Sequence, residues 1–322
     1  MDSSKERGAT YVLPLRASAT DSLPELAAYL NGLNLDDVIV VDSSAPHAFS
    51  FLNALVDARV RHVRPDERIT GTNGKVRNVL SALPVARHER IVVADDDVRY
   101  DDAALTAVIA RLDSCDVVRP QNYFSPLPWH AWLDTGRTLV NRALDGDWPG
   151  TLAFKRSKLP YGYNANALFE NYELVRTIRA RGGRECVARD IFVLRRPPTT
   201  EHFFTQRVRQ AYDEFARPWR LLVALAILPA VVAAWALHMW FAIAAFFCAA
   251  LALGAFGRQR ANGARYFPVS AILAAPLWCI ERACCAWFAL YERVRYGGVR
   301  YAGGIVRDAV SSPAELQRQW AR

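Results

Sequence analysis

The stretch RIVVADDDVRY, residues Arg90–Tyr100, places a short apolar run directly before three aspartates. The run Ile91–Ala94, bounded this sharply by charge, is typical of a buried β-strand that ends in a loop. The adjacent carboxylates Asp95–Asp97 repel one another unless water or a cation lies among them. Two interpretations are open at this point: a solvated acidic turn, or a site that binds a cation.

The residues before this stretch repeat the pattern of short strands and helices. The apolar pattern predicts strands at Thr10–Leu15, Val38–Val41 and Val60–Val63, with helical segments between them. This β–α–β–α–β order predicts a largely parallel sheet covered by helices. In open parallel sheets ligands bind beyond the carboxyl ends of the strands, which is where Asp42 and Asp95–Asp97 lie.

The second half of the chain has a different composition. Leu221–Gly257 contains no Asp, Glu, Lys or Arg. As one helix this segment would be about 55 Å long, against a bilayer core of about 30 Å, so it predicts a transmembrane hairpin that turns near His238. The arginines at its two ends favour a cytoplasmic position for both ends; they are Arg217, Arg220, Arg258, Arg260 and Arg265.

A third apolar segment, residues 267–291, is interrupted by Glu281 and Arg282. If it crossed the membrane, the basic tail after it would lie outside, against the positive-inside rule. We therefore expect it to lie in the cytoplasmic interface or to re-enter the membrane, with a third crossing as the alternative. The predicted division is a soluble domain, 1–216, and a membrane region, 217–322, with its hairpin at 220–257.

The composition of the chain indicates where in the cell the protein lies and which kinds of molecule it binds. The chain has a net charge of +8, and many of its arginines lie beside the apolar segments. This placement suits binding to anionic lipid headgroups better than binding to nucleic acid. The N-terminal stretch MDSSKERGATYVLPLRAS has no apolar run as long as that of a signal peptide. We expect a multi-pass protein of the cell inner (cytoplasmic) membrane whose soluble domain lies in the cytoplasm. The six cysteines and six histidines show no ligand spacing and predict packing or exposed residues.

Carboxylate oxygens clustered at a strand end favour a hard divalent cation, Mg²⁺ or Mn²⁺. Such ions commonly complete their coordination with substrate phosphates. An Asp-x-Asp motif alone is weak evidence. Placed after a buried strand in a β–α–β series, it indicates binding of a nucleoside diphosphate.

Several ordered motifs support a resemblance to a known family. They are VLPLRAS, VIVVDSS, GKVRN, ADDDVR, DWPGTLAFKRS, LFENYELVRTIRARGG and QRVRQ. With these motifs the chain resembles family-2 inverting glycosyltransferases of the GT-A fold, in the membrane-bound branch similar to ceramide glucosyltransferases. The resemblance extends over about residues 8–305. It implies an α/β, Rossmann-like cytoplasmic domain with a mostly parallel sheet, followed by a C-terminal transmembrane hairpin and an interfacial or third membrane helix.

The resemblance also implies roles for individual residues. Asp95 and Asp97 would be the metal ligands, and Gln206 and Arg209 would act on the reacting groups. The residues that it assigns to the nucleotide-sugar donor are Pro14, Arg16, Asp42, Lys75, Asn78, Asp95 and Asp96.

Two departures from the family pattern affect the catalytic assignment. Glu170-Asn171 stands where the family usually has Glu-Asp, and an amide cannot act as a general base. The role of base therefore passes to Glu170 or Glu173. Gln210 replaces the tryptophan of the Gln-x-x-Arg-Trp motif, so the acceptor is less closely specified than the donor class.

The expected function is metal-dependent, inverting transfer of one sugar from a nucleotide-diphosphate sugar, with UDP favoured, to a lipid acceptor at the cytoplasmic membrane face. Polyprenyl phosphate, diacylglycerol and sphingolipid-like acceptors all remain open. One alternative is a processive polysaccharide synthase, although a single hairpin is small for a translocation channel. A second alternative is a membrane-anchored scaffold that binds a nucleotide sugar without catalysis.

Overall fold

A computed structural model describes residues 8–301 and 304–318 of the chain. Residues 1–7 of the predicted soluble domain, and residues 302–303 and 319–322 of the predicted basic tail, lie outside the described residues. Two compact units are present: Met1–Pro120 with Trp148–Val193 and Val310–Arg322, and Gln121–Asp147 with Leu194–Ala309. The predicted boundary at 216 falls within the second unit, so it stays a prediction about where the membrane region begins.

Four parallel strands form one side of the main sheet. They are β1 (Ala9–Leu15), β2 (Asp37–Asp42), β3 (Val60–Val63) and β4 (Arg90–Ala94), in the order β3–β2–β1–β4. They are connected by α1 (Leu23–Gly32), α2 (Pro46–Asn53) and α3 (Gly74–Ala82). The predicted series of strands and helices and the mostly parallel sheet are confirmed.

The sheet is buried on both faces, as its nearly continuous apolar strands require. Every residue of β1 and of β2 is buried. Successive side chains alternate between two hydrophobic clusters: Tyr11 and Leu13 belong to one, while Val12 belongs to the other. Burial on both faces fixes the strand register, and so fixes which residues end each strand.

The remaining elements of the first unit extend the sheet beyond β4. The full strand order is β3–β2–β1–β4–β7–β6–β8–β5, and β7 runs antiparallel to both β4 and β6. The strands are β5 (Val98–Arg99), β6 (Val117–Phe124), β7 (Thr151–Lys155) and β8 (Glu185–Arg195). The helices are α4 (Asp102–Arg111), α5 (Trp129–Ala143), which belongs to the second unit, and α6 (Glu170–Ala180).

The second unit contains the predicted hairpin. After α7 (Thr200–Thr205) and α8 (Arg207–Tyr212), α9 (Pro218–Ala236) and α10 (Trp240–Gln259) are separated by a turn at His238, whose φ is 54°. Both helices are long and apolar enough to cross a membrane, with a mean hydropathy of 2.0. The turn lies at the predicted position.

The third apolar segment forms α11 (Ala274–Tyr296), preceded by a short 3₁₀ turn. Val269–Tyr296 is also long and apolar enough to cross, although 44% of its most apolar window is buried inside the protein. Its predicted interfacial position therefore remains a prediction. The hairpin β9 (Val299–Tyr301) and β10 (Gly304–Val306) follows it, and α12 (Pro313–Arg318) belongs to the first unit.

Within the second unit α5 packs against α10 and α11 at two glycines. A Cβ on Gly257 would lie 1.9 Å from the carbonyl oxygen of Leu139, and one on Gly136 would lie 2.4 Å from that of Ala274. Any side chain at either position would force the helices apart. Two of the helices that can cross a membrane, α10 and α11, are thus packed closely against α5.

Candidate active site

The carboxyl ends of β1, β2 and β4 lie side by side, as the register of the sheet requires. Leu15 at the end of β1 pairs with Asp42 at the end of β2, and Val12 pairs with Val93 near the end of β4. Asn78 joins two of these ends, because its side-chain nitrogen donates to the carbonyl oxygens of Leu15 at 3.1 Å and Val41 at 3.0 Å. The predicted donor residue Asn78 is thus buried and holds the loops in place.

Lys75, Asp95 and Glu170 form a cluster at this edge. The Nζ atom of Lys75 lies 2.5 Å from Asp95 Oδ1 and donates to Glu170 Oε1 at 2.9 Å. Lys75 comes from the first turn of α3, Asp95 follows β4, and Glu170 begins α6. Lys75, a predicted donor residue, therefore contacts both Asp95, a predicted metal ligand, and Glu170, a candidate base.

The charge of Lys75 is well compensated. Burial alone would lower the pKa of its ammonium group, but the carboxylates of Asp95 and Glu170 outweigh that effect and raise the pKa. Lys75 therefore keeps its positive charge throughout the physiological range. It holds two carboxylates close together that would otherwise repel each other.

The three aspartates after β4 differ in exposure. Asp96 is exposed, whereas Asp95 and Asp97 are partly buried. The backbone nitrogen of Asp95 donates to the carbonyl oxygen of Gly150 at 2.8 Å, and a Cβ on Gly150 would lie 2.7 Å from Asp95 Oδ2. The absence of a side chain at Gly150 leaves room at this carboxylate oxygen.

The donor set matches a metal that shares its ligands with a substrate. Within residues 8–301 and 304–318, no group of three or more His, Cys, Asp and Glu side chains is placed to hold a metal ion unaided. Asp95 and Asp97 can provide carboxylate oxygens, which Mg²⁺ and Mn²⁺ prefer, and phosphate oxygens and water complete such shells. These two residues fit a metal that is held jointly with a diphosphate.

The predicted nucleotide residues surround the adjoining strand ends. Pro14 is buried within β1, and Arg16 is exposed just beyond it. Arg16 and Asp96 help to line a cavity of about 150 Å³. Asp42 is buried: its Oδ1 accepts from the backbone nitrogen of Ser44 at 2.7 Å.

His62 is a contact of Asp42 that the sequence did not indicate as part of the site. Its Nε2 lies 3.0 Å from Asp42 Oδ2, and its ring stacks on Phe49 with centroids 4.0 Å apart. Burial would raise the pKa of Asp42, but its hydrogen bonds from His62 and Ser44 outweigh burial and lower that pKa. Asp42 is therefore held as an oriented carboxylate. The sequence pattern around Phe49 does not indicate that its ring stacks on His62.

Glu170 and Glu173, the two candidate bases, occupy different environments. Glu170 keeps 15% of its side chain exposed beside Lys75, while Glu173 is completely buried. Burial raises the pKa of Glu173, against the hydrogen bond that its Oε2 accepts from the backbone nitrogen of Ser311 at 2.9 Å. Asn171, which departs from the expected Glu-Asp pattern, donates its side-chain nitrogen to the carbonyl oxygen of Pro149 at 2.9 Å.

A C-terminal segment around Ser311 closes on α6, and nothing in the sequence pointed to it. Asn164 donates to the hydroxyl of Ser311 at 2.9 Å, and Arg176 donates to its carbonyl oxygen at 2.6 Å. With Glu173 accepting from its nitrogen, Ser311 is bound at three atoms. These contacts fix the helix that begins at Glu170.

Gln206 and Arg209 lie in the second unit, where α7 meets α8. The guanidinium carbon of Arg209 lies 5.1 Å from the centroid of the Tyr301 ring. Arg207, between them, donates to Asp134 at 3.1 Å. Burial would raise the pKa of Asp134, but Arg137 and Arg207 outweigh it and lower that pKa, so the start of α8 is anchored by an ion pair.

Comparison with known proteins connects this geometry to a fold family. The model of glycosyl transferase family 21 matches residues 51–118, the segment that contains Lys75 and Asp95–Asp97. The mannosyltransferase PcManGT from Pyrobaculum calidifontis, solved with GDP-Man and Mn²⁺, superposes with a TM-score of 0.56 and 18% identity over 89% of this chain and 88% of its own. The fold is that of a GT-A glycosyltransferase.

More distant GT-A structures match over a smaller part of the chain. Mannosyl-3-phosphoglycerate synthase from Rubrobacter xylanophilus is 14% identical, over 62% of this chain and 70% of its own, with a TM-score of 0.44. Glucosyl-3-phosphoglycerate synthase from Mycobacterium tuberculosis, solved with Mn²⁺, UDP-Glc and phosphoglyceric acid, is 14% identical, over 64% and 78%, with a TM-score of 0.42. A comparison of the sequence with curated proteins gave no match.

The cluster at Lys75 predicts a pH-dependent effect on stability. A raised pKa means that Lys75 contributes its full stabilisation below its unfolded pKa, so all of it is present at pH 7. Lys75→Met should therefore lower the free energy of unfolding by about 2–3 kcal/mol at pH 7.5, less than the loss expected for a fully buried pair. The loss should shrink near pH 11, above the ordinary lysine pKa of about 10.4, because Lys75 is then deprotonated in the unfolded chain but still charged in the folded one.

Thermal unfolding of the full chain in detergent at both pH values measures this effect. Lys155→Met is the matched control, since Lys155 is more exposed and contacts one carboxylate, Asp116, at 3.2 Å. A Lys75→Met loss that is equal at both pH values would show that charge compensation is not what Lys75 provides.

Proposed function

We propose that this chain transfers a single sugar from a nucleotide-diphosphate sugar, a UDP-sugar in the first instance, to a lipid acceptor at the cytoplasmic face of the membrane, with inversion. The observation that carries the proposal is the contact of Lys75 with both Asp95 and Glu170 at the carboxyl ends of the strands. It joins the donor side of a GT-A site to a candidate base. The family match over residues 51–118 supports the same reaction class.

A divalent cation is part of the proposal. Asp95 and Asp97 would hold Mg²⁺ or Mn²⁺ together with the donor's phosphates, and the PcManGT structure contains Mn²⁺ with GDP-Man. When bound, the ion takes up negative charge that develops on the leaving diphosphate. Arg209 is proposed to add a guanidinium for the diphosphate, with Gln206 beside it.

Glu170 is the proposed general base. Its carboxylate accepts the proton of the acceptor's nucleophilic O–H group, while the acceptor oxygen bonds to the anomeric carbon. The bond from that carbon to the diphosphate oxygen breaks, and the diphosphate leaves with the electron pair. Attack from the face opposite the leaving group inverts the anomeric centre. Lys75 orients Glu170 through its 2.9 Å hydrogen bond.

Glu173 is the weaker candidate for the base. It is completely buried, and one of its oxygens already accepts from the backbone of Ser311. We propose that it fixes the orientation of α6. Because Glu170 and Glu173 lie three residues apart on one helix, a firmly held Glu173 also limits how far Glu170 can move.

Among the residues that the structure describes, three helices can cross a membrane, and they support a lipid acceptor. An enzyme acting on two soluble substrates has no need of such helices, whereas anchoring confines a lipid acceptor and the site to one surface. A single hairpin with one further helix is also small for the channel of a processive synthase. Transfer of one sugar to a lipid is the function that accounts for both features.

Glu170→Gln should reduce sugar transfer by about 100-fold or more, since general bases typically contribute 10²–10⁴-fold. The measurement is incorporation of label from a panel of radiolabelled nucleotide sugars into extracted lipids, using membranes that contain the full chain. Glu67→Gln, an exposed carboxylate in the same unit, is the matched control and should transfer at the normal rate. Turnover near the wild-type rate in Glu170→Gln would exclude Glu170 as the base and redirect the search to Glu173.

The proposed orientation can be tested at the hairpin turn. A cysteine in place of His238 should react with a membrane-impermeant maleimide added to intact cells, because both ends of the hairpin are proposed to be cytoplasmic. Glu67→Cys should react only after permeabilisation. The unsubstituted chain, with its six native cysteines, gives the background. Labelling of both positions only after permeabilisation would contradict a hairpin that crosses the membrane.

A further inference from the structure

The second unit contains an apolar groove between its long helices, which we call the hairpin groove. One cavity of about 300 Å³ is bounded by α5, α9, α10 and α11, and another of about 310 Å³ lies between α9 and α10. The two cavities adjoin, because Val223, Ile227 and Phe246 line both. Along α9 the groove extends from Arg220 to Ala234, about 21 Å at 1.5 Å per residue. Its length and lining suit a hydrocarbon chain.

One end of the hairpin groove presents buried donors that lack acceptors. Arg282 is 5% exposed, and neither its Nε nor its Nη1 has a hydrogen-bond partner among the described residues. The same holds for Nε1 of Trp278, also 5% exposed, and for Nη1 of Arg220. All three side chains line the cavity. Buried donors are nearly always satisfied in folded proteins, and none of these groups can accept, so this end of the groove suits a ligand that brings acceptors.

Of the charged residues that line this end of the groove, Glu214 is negative and Arg220 and Arg282 are positive. Glu214 Oε2 lies 3.1 Å from Arg217 Nη2 and 3.2 Å from Arg220 Nε. Asp145 lies 3.5 Å from Arg220 Nη1, which is an ion pair without a hydrogen bond. Glu281, the neighbour of Arg282 in sequence, accepts a hydrogen bond from Cys285 at 3.1 Å and does not line the cavity. The groove end therefore carries a net positive charge.

We propose that the hairpin groove binds the acceptor lipid and that this lipid carries a phosphate headgroup, whose monoanion keeps the P–O–H proton that Glu170 is proposed to accept. The inference rests on the proposed function for the statement that the lipid is the acceptor; the binding site itself does not depend on it. Phosphate oxygens only accept and match the planar guanidinium groups of Arg282 and Arg220, and the chain lies along the apolar wall. A diacylglycerol or sphingolipid-like acceptor would leave the charge of Arg282 buried without compensation.

Equilibrium binding to the full chain in detergent, without a sugar donor, tests the site. The probes are radiolabelled farnesyl phosphate and farnesol, which share one chain and differ in the phosphate. The wild type should bind the phosphate about tenfold more tightly or better, as expected for hydrogen bonds to a charged group. Arg282→Gln should lose that preference. Arg295→Gln, an exposed arginine on the same helix, should keep it.

Two further variants separate ligand binding from a structural role. Because an unmatched buried charge costs stability, lipid-free Arg282→Gln should unfold at the wild-type temperature or higher. Ala224→Trp, which places a large ring in the groove, should weaken both probes about equally. Equal binding of the two probes by the wild type, or a marked fall in the unfolding temperature of Arg282→Gln, would overturn the proposal.

The inference and the proposed function fail in different ways. Tight binding of farnesyl phosphate without transfer from any nucleotide sugar would retain the groove and reject the glycosyltransferase activity. Transfer of sugar to a neutral lipid, with no preference for farnesyl phosphate in the binding assay, would retain the activity and reject the phosphate headgroup.

Discussion

The interaction on which the site depends is the ammonium group of Lys75 between the carboxylates of Asp95 and Glu170, at 2.5 Å and 2.9 Å. Without a cation between them, two partly buried carboxylates would repel each other and separate. Lys75 therefore determines the spacing between the strand end at Asp95 and the helix that carries the proposed base. With Asp97 the cluster has three carboxylates and one ammonium group, so a divalent ion at Asp95 and Asp97 would offset its remaining negative charge and provide a cation for the phosphates of the proposed donor.

The elements that carry this cluster are held in place by burial and by hydrogen bonds between distant segments. Burial of β1 and β2 on both faces fixes their register, and Asn78 joins their ends by hydrogen bonds to Leu15 and Val41. On the other side, α6 is held by Ser311 through Glu173 and Arg176. The proposed base Glu170 is held by its ion pair with Lys75, and its helix is held by the buried hydrogen bond between Ser311 and Glu173. A carboxylate held in this way loses little entropy when an acceptor binds, as catalysis by proximity and orientation requires.

Much of this arrangement could be predicted from local sequence. The apolar runs and the charges after them gave the parallel sheet and the strand ends at Asp42 and Asp95, and the absence of charge gave the hairpin with its turn at His238. Contacts between distant segments could not be predicted in this way. Lys75 and Glu170 are 95 residues apart, and Ser311 binds Glu173 from a segment 138 residues away. Periodicity reports which face of an element is buried, but it does not report which buried side chains meet. His62 shows the same limit, because its role comes from the Asp42 side chain on a neighbouring strand.

Metal-dependent binding of nucleotide tests the central claim most directly. Thermal unfolding of the purified full chain should shift upward with UDP and Mn²⁺ together, by an amount corresponding to about 2.7 kcal/mol when free UDP is about 100 times its Kd. UDP with EDTA should give little shift. Asp97→Ala with UDP and Mn²⁺ should also give little shift. GDP, tested in parallel, shows whether UDP is the preferred nucleotide. The account predicts a shift that requires both Mn²⁺ and Asp97; the absence of a shift with either nucleotide, or an equal shift in Asp97→Ala, would contradict it.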